Sequence, residues 1–292
     1  MTKLTKLLPF FMAIILGCGR SGVEPPTDAT SEDAIYNIIR FDSPSAFNLD
    51  LFDLSVPDTT QGLLTAFQPI HWWHTIGHDS LDIDIRIFEP QPGDTTGAVP
   101  YANVRVAKYF WGNLEVIALD TTGGSPQRIR FTKSFGMLGV INSVFEKVGF
   151  DYNTRRGWRF MQISDAVFTS LSQTVPPPPP TVEIQAADSL IRVNPGIKLL
   201  RYIPQFTPGE SITVNIYPID TSSVVVIRYP SGTGYATQVP PRGPGGVFKT
   251  GFTFPRHEEF GHFLVDIINP AVLSDSTTRY FPSALGVLYR AR

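Results

Sequence analysis

Alternation of apolar and polar residues is the main local signal in this chain. Leu81, Ile83, Ile85 and Ile87 fall on one side of an extended segment, and Asp82, Asp84 and Arg86 on the other. That pattern predicts a half-buried strand over 81–88. Further strands are predicted from Val104 onward, over 114–119, 127–134 and 156–163, with Trp111-Gly112-Asn113 as a turn. Helical spacing is rarer. Ala34, Ile35, Ile38 and Ile39 form one stripe behind Ser31-Glu32-Asp33, which offers a cap and first-turn acids. A second helix is predicted over 63–76 and a short one over 165–171. The segment holding Met137, Leu138, Ile141, Val144, Phe145 and Val148 has helical spacing yet many β-branched residues, so both states stay open. The later half reads as short strands over 211–217, 223–229, 247–254 and 261–268, separated by Gly and Pro turns, with a last edge strand near 279–290.

Composition agrees with a strand-rich fold. The chain has 292 residues, 42% hydrophobic and 17% charged, with 24 glycines and 26 prolines. It is too apolar for a disordered protein, and its turn formers disfavour a helical bundle. The formal charge of −2 argues against a nucleic-acid partner. One cysteine, Cys18, excludes an intrachain disulfide and a cysteine-built zinc site.

Cys18 has a more telling context. Lys3 and Lys6 precede a short apolar run over 7–16, too short to span a bilayer, and the run ends Ile15-Leu16-Gly17-Cys18. This resembles a bacterial lipoprotein signal, with Ile15 in place of the commoner Leu and Leu16 bulkier than usual. The resemblance implies removal of 1–17 and lipidation of Cys18, leaving a lipid-anchored envelope protein. Gly19 implies the outer membrane, by likeness to Gram-negative lipoproteins that lack Asp there. An ordinary signal peptide with an incidental cysteine is the other reading.

Residues 18–31 read as a flexible tether. Five prolines over 176–180 cannot be helix or central strand, so 175–181 reads as a polyproline linker. Two domains are therefore expected, 32–174 and 182–292. Helices followed by antiparallel strands is an α+β order. With Phe145-Glu-Lys-Val-Gly149 and Arg156-Gly-Trp-Arg159, the first domain resembles the NTF2-like cone, which implies helices packed into a curved sheet around a pocket. The second resembles the Ig-like domains of bacterial surface proteins, through Gly209-Glu-Ser-Ile-Thr-Val214 and Gly261-His-Phe-Leu-Val-Asp266. That implies a β-sandwich.

Candidate chemistry is sparse. His71, His74 and His78 would share one side of a helix, but His71 and His78 would stand ~10 Å apart along it, too far for one ion. His74 and His78 remain weak metal candidates, set against partly buried tryptophans and solvated histidines. His257 and His262 are one residue too far apart for a zinc-protease helix. Asp82 and Asp84 stand about 6.6–6.8 Å apart on one strand face. In an NTF2-like pocket, one of them with a raised pKa would serve as general base, as the resemblance implies for isomerases of that family. The plainer reading is a solvated strand face. Gly232-Thr-Gly234 lacks the spacing of a nucleotide loop. All four tryptophans, Trp72, Trp73, Trp111 and Trp158, lie in the first half. Trp72, Trp73, Tyr109 and Trp111 are candidate walls for an apolar or sugar ligand, or else core. The expected function is a non-enzymatic binding or scaffolding protein, with no cofactor and with the membrane, a protein or a small ligand as partner. The alternative is a pocket enzyme of isomerase or cyclase type.

Overall fold

The computed structural model describes residues 28–52, 67–94, 96–121, 125–175, 177–220, 222–232, 234–254 and 257–292. The signal, Cys18 and most of the tether lie outside them. A capping box starts the first helix, α1 (Ser31–Asn37). The Thr30 hydroxyl accepts the Asp33 amide at 3.0 Å, and the Asp33 carboxylate accepts the Thr30 amide at 2.9 Å. One π-helical turn, Ile38–Asp42, extends it.

Strands follow, beginning with three very long ones: β1 (Phe67–Phe88), β2 (Tyr101–Asp120) and β3 (Gln127–Lys147), of 22, 20 and 21 residues. Then come β4 (Trp158–Ile163), β5 (Ala166–Ser170), β6 (Thr181–Gln185), β7 (Leu190–Arg192), β8 (Lys198–Leu199) and β9 (Gln205–Phe206). The later strands are β10 (Ser211–Tyr217), β11 (Val224–Ser231), β12 (Gly234–Gln238), β13 (Phe248–Thr253), β14 (Glu258–Ile268) and β15 (Ser283–Ala291). A short helix, α2 (Pro270–Ser274), precedes β15.

These strands make two sheets. The eleven-stranded sheet runs β1-β2-β3-β5-β15-β14-β11-β12, with β4, β8 and β9 attached beside that path. Pairing is antiparallel except between β15 and β9. The four-stranded sheet runs β13-β10-β6-β7. Central strands of the large sheet are apolar on both faces, so their sequences run nearly continuously hydrophobic. Val224 and Val226 join a core with α1, Leu49, Leu51 and the inner side of β1–β3. Val225 and Ile227 join a second core beneath Val182, Ile184, Ile212, Val214 and Phe252 of the four-stranded sheet.

This arrangement corrects the expected fold class. The described residues are 55% strand and 13% helix, with one helical stretch of 12 residues among them, not an α+β NTF2-like cone followed by an Ig-like sandwich. The helix expected over 63–76 is strand throughout its described part. Trp72 and His74 point inward while His71 and Trp73 point outward, and pairing with β2 fixes that alternation. The helix expected over 165–171 is β5, held between β3 and β15. The segment open to both states is the second half of β3.

Two glycines matter for this packing. The Phe168 ring of β5 lies over Gly139 of β3 and Gly286 of β15. A Cβ would come within 2.7 Å of that ring at Gly139 and 2.9 Å of the Leu51 side chain at Gly286. The ring fills the space that two missing side chains leave, and it is fully buried. That burial stabilises by roughly 2–3 kcal/mol.

Candidate functional site

A β-bulge governs which side chains of β1 face water. Ile76 opposes Gly112, but His78 opposes Trp111, so Gly77 is an extra residue. Before the bulge the even positions Trp72 and His74 point into the core. After it the odd positions Ile83, Ile85 and Ile87 do so. Gly112 accommodates the bulge, since a Cβ there would lie 2.2 Å from the Thr75 carbonyl oxygen.

The bulge separates the three histidines. His74 is buried, whereas His78 lies outside against Trp111 and His71 outside against Trp73. His74 and His78 therefore do not converge on one ion. Among the described residues, no three His, Cys, Asp or Glu side chains gather as a metal site. Asp82 and Asp84 share the outward face, and Asp84 pairs with Arg86 at 2.8 Å. They line no enclosed cone.

The candidate binding aromatics divide in the same way. Trp72 is 1% exposed and belongs to the core. Tyr109, Trp111 and Trp73 stand on the outward face of β1–β3. His78 and Trp111 lie 5.3 Å apart at 21°, and Trp111 and Tyr109 6.1 Å apart at 14°, giving a near-parallel row. Trp111 is 41% exposed. Beside it the Ser134 hydroxyl donates to the Asn113 side-chain oxygen at 2.9 Å. A second station lies further along the face. Trp73 sits between His71, at 5.2 Å, and the Arg130 guanidinium, at 5.4 Å. Glu115 fixes Arg130 at 3.2 Å and accepts the Thr132 hydroxyl at 2.8 Å. Trp111 and Glu115, which opposes Trp73, are four residues apart on β2, so the stations stand ~13 Å apart at ~3.3 Å per residue.

The inner face carries polar groups that no sequence pattern marks. His74 Nε2 meets the Tyr280 hydroxyl at 2.9 Å. Burial pushes His74 down to about 3 and keeps it neutral. Burial, aided by the Asp266 charge, raises Tyr280 well above its usual value. Asp266, on β14, is pushed up to about 8 by burial, partly opposed by the Ile267 amide. That amide falls short of full hydrogen-bond geometry, so both Asp266 oxygens stay poorly satisfied among the described residues. Nearby on the same sheet, the Asp165 carboxylate accepts the Lys198 ammonium at 2.6 Å and the Leu288 amide at 2.8 Å. Burial raises Asp165 against the pull of Lys198. His262 is lowered to about 3 by burial and then by Lys198. At the edge of the inner face, Lys108 bridges Asp50 and Asp79. Burial works against the charge of Lys108, but the two carboxylates outweigh it and its pKa is raised.

No protein-family model matches the chain, and no curated protein matches it.

Proposed function

We propose that this is a lipid-anchored, non-enzymatic protein of the cell envelope that binds an extended glycan chain across the outward face of β1–β3. The observation that carries the reading is the row His78–Trp111–Tyr109, with Trp111 41% exposed. Aromatic faces accept the apolar faces of sugar rings, while hydroxyl groups need polar neighbours. Asn113, Ser134 and Thr132 supply those neighbours on the same face. The ~13 Å between stations favours a chain of several sugars over a single small ligand. The envelope anchor rests on Lys3, Lys6, the apolar run over 7–16 and Cys18.

Sedimentation with insoluble peptidoglycan and cellulose tests the reading. Trp111→Ala should weaken binding to whichever polymer the parent binds by about tenfold or more, the cost of losing an aromatic anchor. The fold should persist, because Trp111 lies outside both cores. Failure of the parent to bind either polymer, or unchanged binding by the variant, would refute the glycan surface.

A further inference from the structure

Three long strands end together at one end of the large sheet. β1 finishes at Phe88, β2 starts at Tyr101 opposite it, and the Lys147 amide closing β3 donates to the Pro100 carbonyl at 2.9 Å. This end carries two exposed aromatic pairs. Phe88 and Tyr101 stack at 4.9 Å and 13°, each 41% exposed. Phe150 and Tyr152 stack at 5.3 Å and 12°, 67% and 82% exposed. Val148, also exposed, lies beside them in sequence.

Hydrogen bonds and ion pairs anchor the loop bearing Phe150 and Tyr152. Arg155 and Arg156 adopt left-handed backbone angles, φ 54° and 50°, which non-glycine residues seldom take. Ion pairs hold them there. Arg155 grips Asp42 with two bonds of 2.7 and 2.8 Å and reaches Asp28 at 3.1 Å. Arg156 pairs with Asp151 at 3.0 Å and donates to the Ala29 carbonyl at 3.3 Å. Lys147 also pairs with Asp151, at 2.6 Å. Cations and carboxylates are matched in these ion pairs, so they add no net charge beside the exposed aromatic rings.

These contacts also place the start of the described chain. Asp28 and Ala29 are bonded to the two arginines of the aromatic loop, and Asp151 sits between Phe150 and Tyr152. Cys18 is ten residues before Asp28. Ten residues reach at most ~33 Å, so a lipid on Cys18 would hold Asp28, and the aromatic loop bonded to it, within that distance of the bilayer.

We propose that this end dips into the bilayer interface, with Phe150 and Tyr152 entering the headgroup–acyl boundary and the Phe88–Tyr101 pair lying against it. The orientation relative to the membrane rests on the lipid-anchor reading, but the affinity of the aromatic end for lipid does not. Tyrosine rings settle at such a boundary, phenylalanine rings bury apolar area in it, and the matched ion pairs add no net charge to oppose the contact.

The experiment uses vesicles of phosphatidylcholine and two measurements. Lipid on Cys18 is first read by mass spectrometry. In the lipidated protein Cys18 is consumed, so Tyr152→Cys supplies the only free thiol for a spin label, and Gln127→Cys at the far end of β3 supplies the control. The label at 152 should collide with oxygen in preference to a water-soluble nickel chelate, and the label at 127 with the chelate. Equal water access at both sites, with lipid present on Cys18, overturns the proposal and leaves the end to a protein partner. If Cys18 carries no lipid, the anchor reading falls separately. Flotation of the unlipidated protein with the same vesicles then decides. Phe150→Ser with Tyr152→Ser should reduce the floated fraction about tenfold or more, and 0.5 M salt should leave the parent's unchanged. Equal flotation of parent and variant, or loss in salt, overturns the proposal.

Discussion

Asp266 shows how one residue sets a pH dependence. Its folded value is about 8 against an ordinary 3.8. Below pH 3.8 both folded and unfolded forms hold the proton and nothing is lost. As pH rises through 3.8 the unfolded chain ionises while the folded one does not, so stability falls until about pH 8. His74 and His262 act oppositely: their folded values near 3 lie below 6.5, so stability falls as pH drops through that window. Asp266→Asn isolates the first effect. Its stability relative to the parent should grow by roughly 1.4 kcal/mol per pH unit between about pH 5 and pH 7, measured by urea unfolding. A difference that stays flat with pH would remove Asp266 as the cause. None of this was legible in the sequence, because the cluster joins residues such as His74 and Tyr280, 206 positions apart. Trp73, Tyr109 and Trp111 were candidate binding aromatics on sequence alone, and strand pairing places them on the outward face. Trp72 was not separable from them until strand pairing turned it inward.

At the scale of elements, the period-two signal over 81–88 identified both the strand and its inward side, since Ile83, Ile85 and Ile87 do pack on the core. Upstream the same strand was hidden. Extra residues near Ile70 and at Gly77 break the alternation, and a broken period of two imitates helical spacing around His71, Trp72 and His74. The bulge makes a sharp contrast between two deletions. Removing Gly77 leaves Ile76 inward and His78 outward, so thermal unfolding should shift little. Removing Ser80 turns Asp82, Asp84 and Arg86 inward and Ile83, Ile85 and Ile87 outward, and should cost ~3 kcal/mol or more in chemical denaturation. Equal effects of the two deletions would rule out the register. The same irregularities protect an edge. Among the described strands β1 pairs only with β2, and Pro69, two bulges and the outward Asp82, Asp84 and Arg86 discourage a second copy from adding there.

At the scale of the molecule, the α+β expectation failed because local patterns do not reveal which strands meet. β5 and β15 lie on opposite sides of the proline run, yet Ala166–Thr169 pairs with Ser283–Gly286. Protease nicking near Val175, which is 83% exposed, should therefore leave two pieces that co-elute in native gel filtration and separate only in denaturant. Two pieces that part and stay folded would contradict the continuous sheet. The same pairing governs the order of assembly. β15 comes last in sequence among the described strands but sits between β5 and β14 in the middle of the large sheet. A chain emerging N-terminus first therefore lacks its keystone until residue 291 is free, and contacts of such sequence separation form slowly. Until then β5 and β14 lack the strand that joins them, so the two flanks of the large sheet stay unconnected while residues before Ser283 are being made.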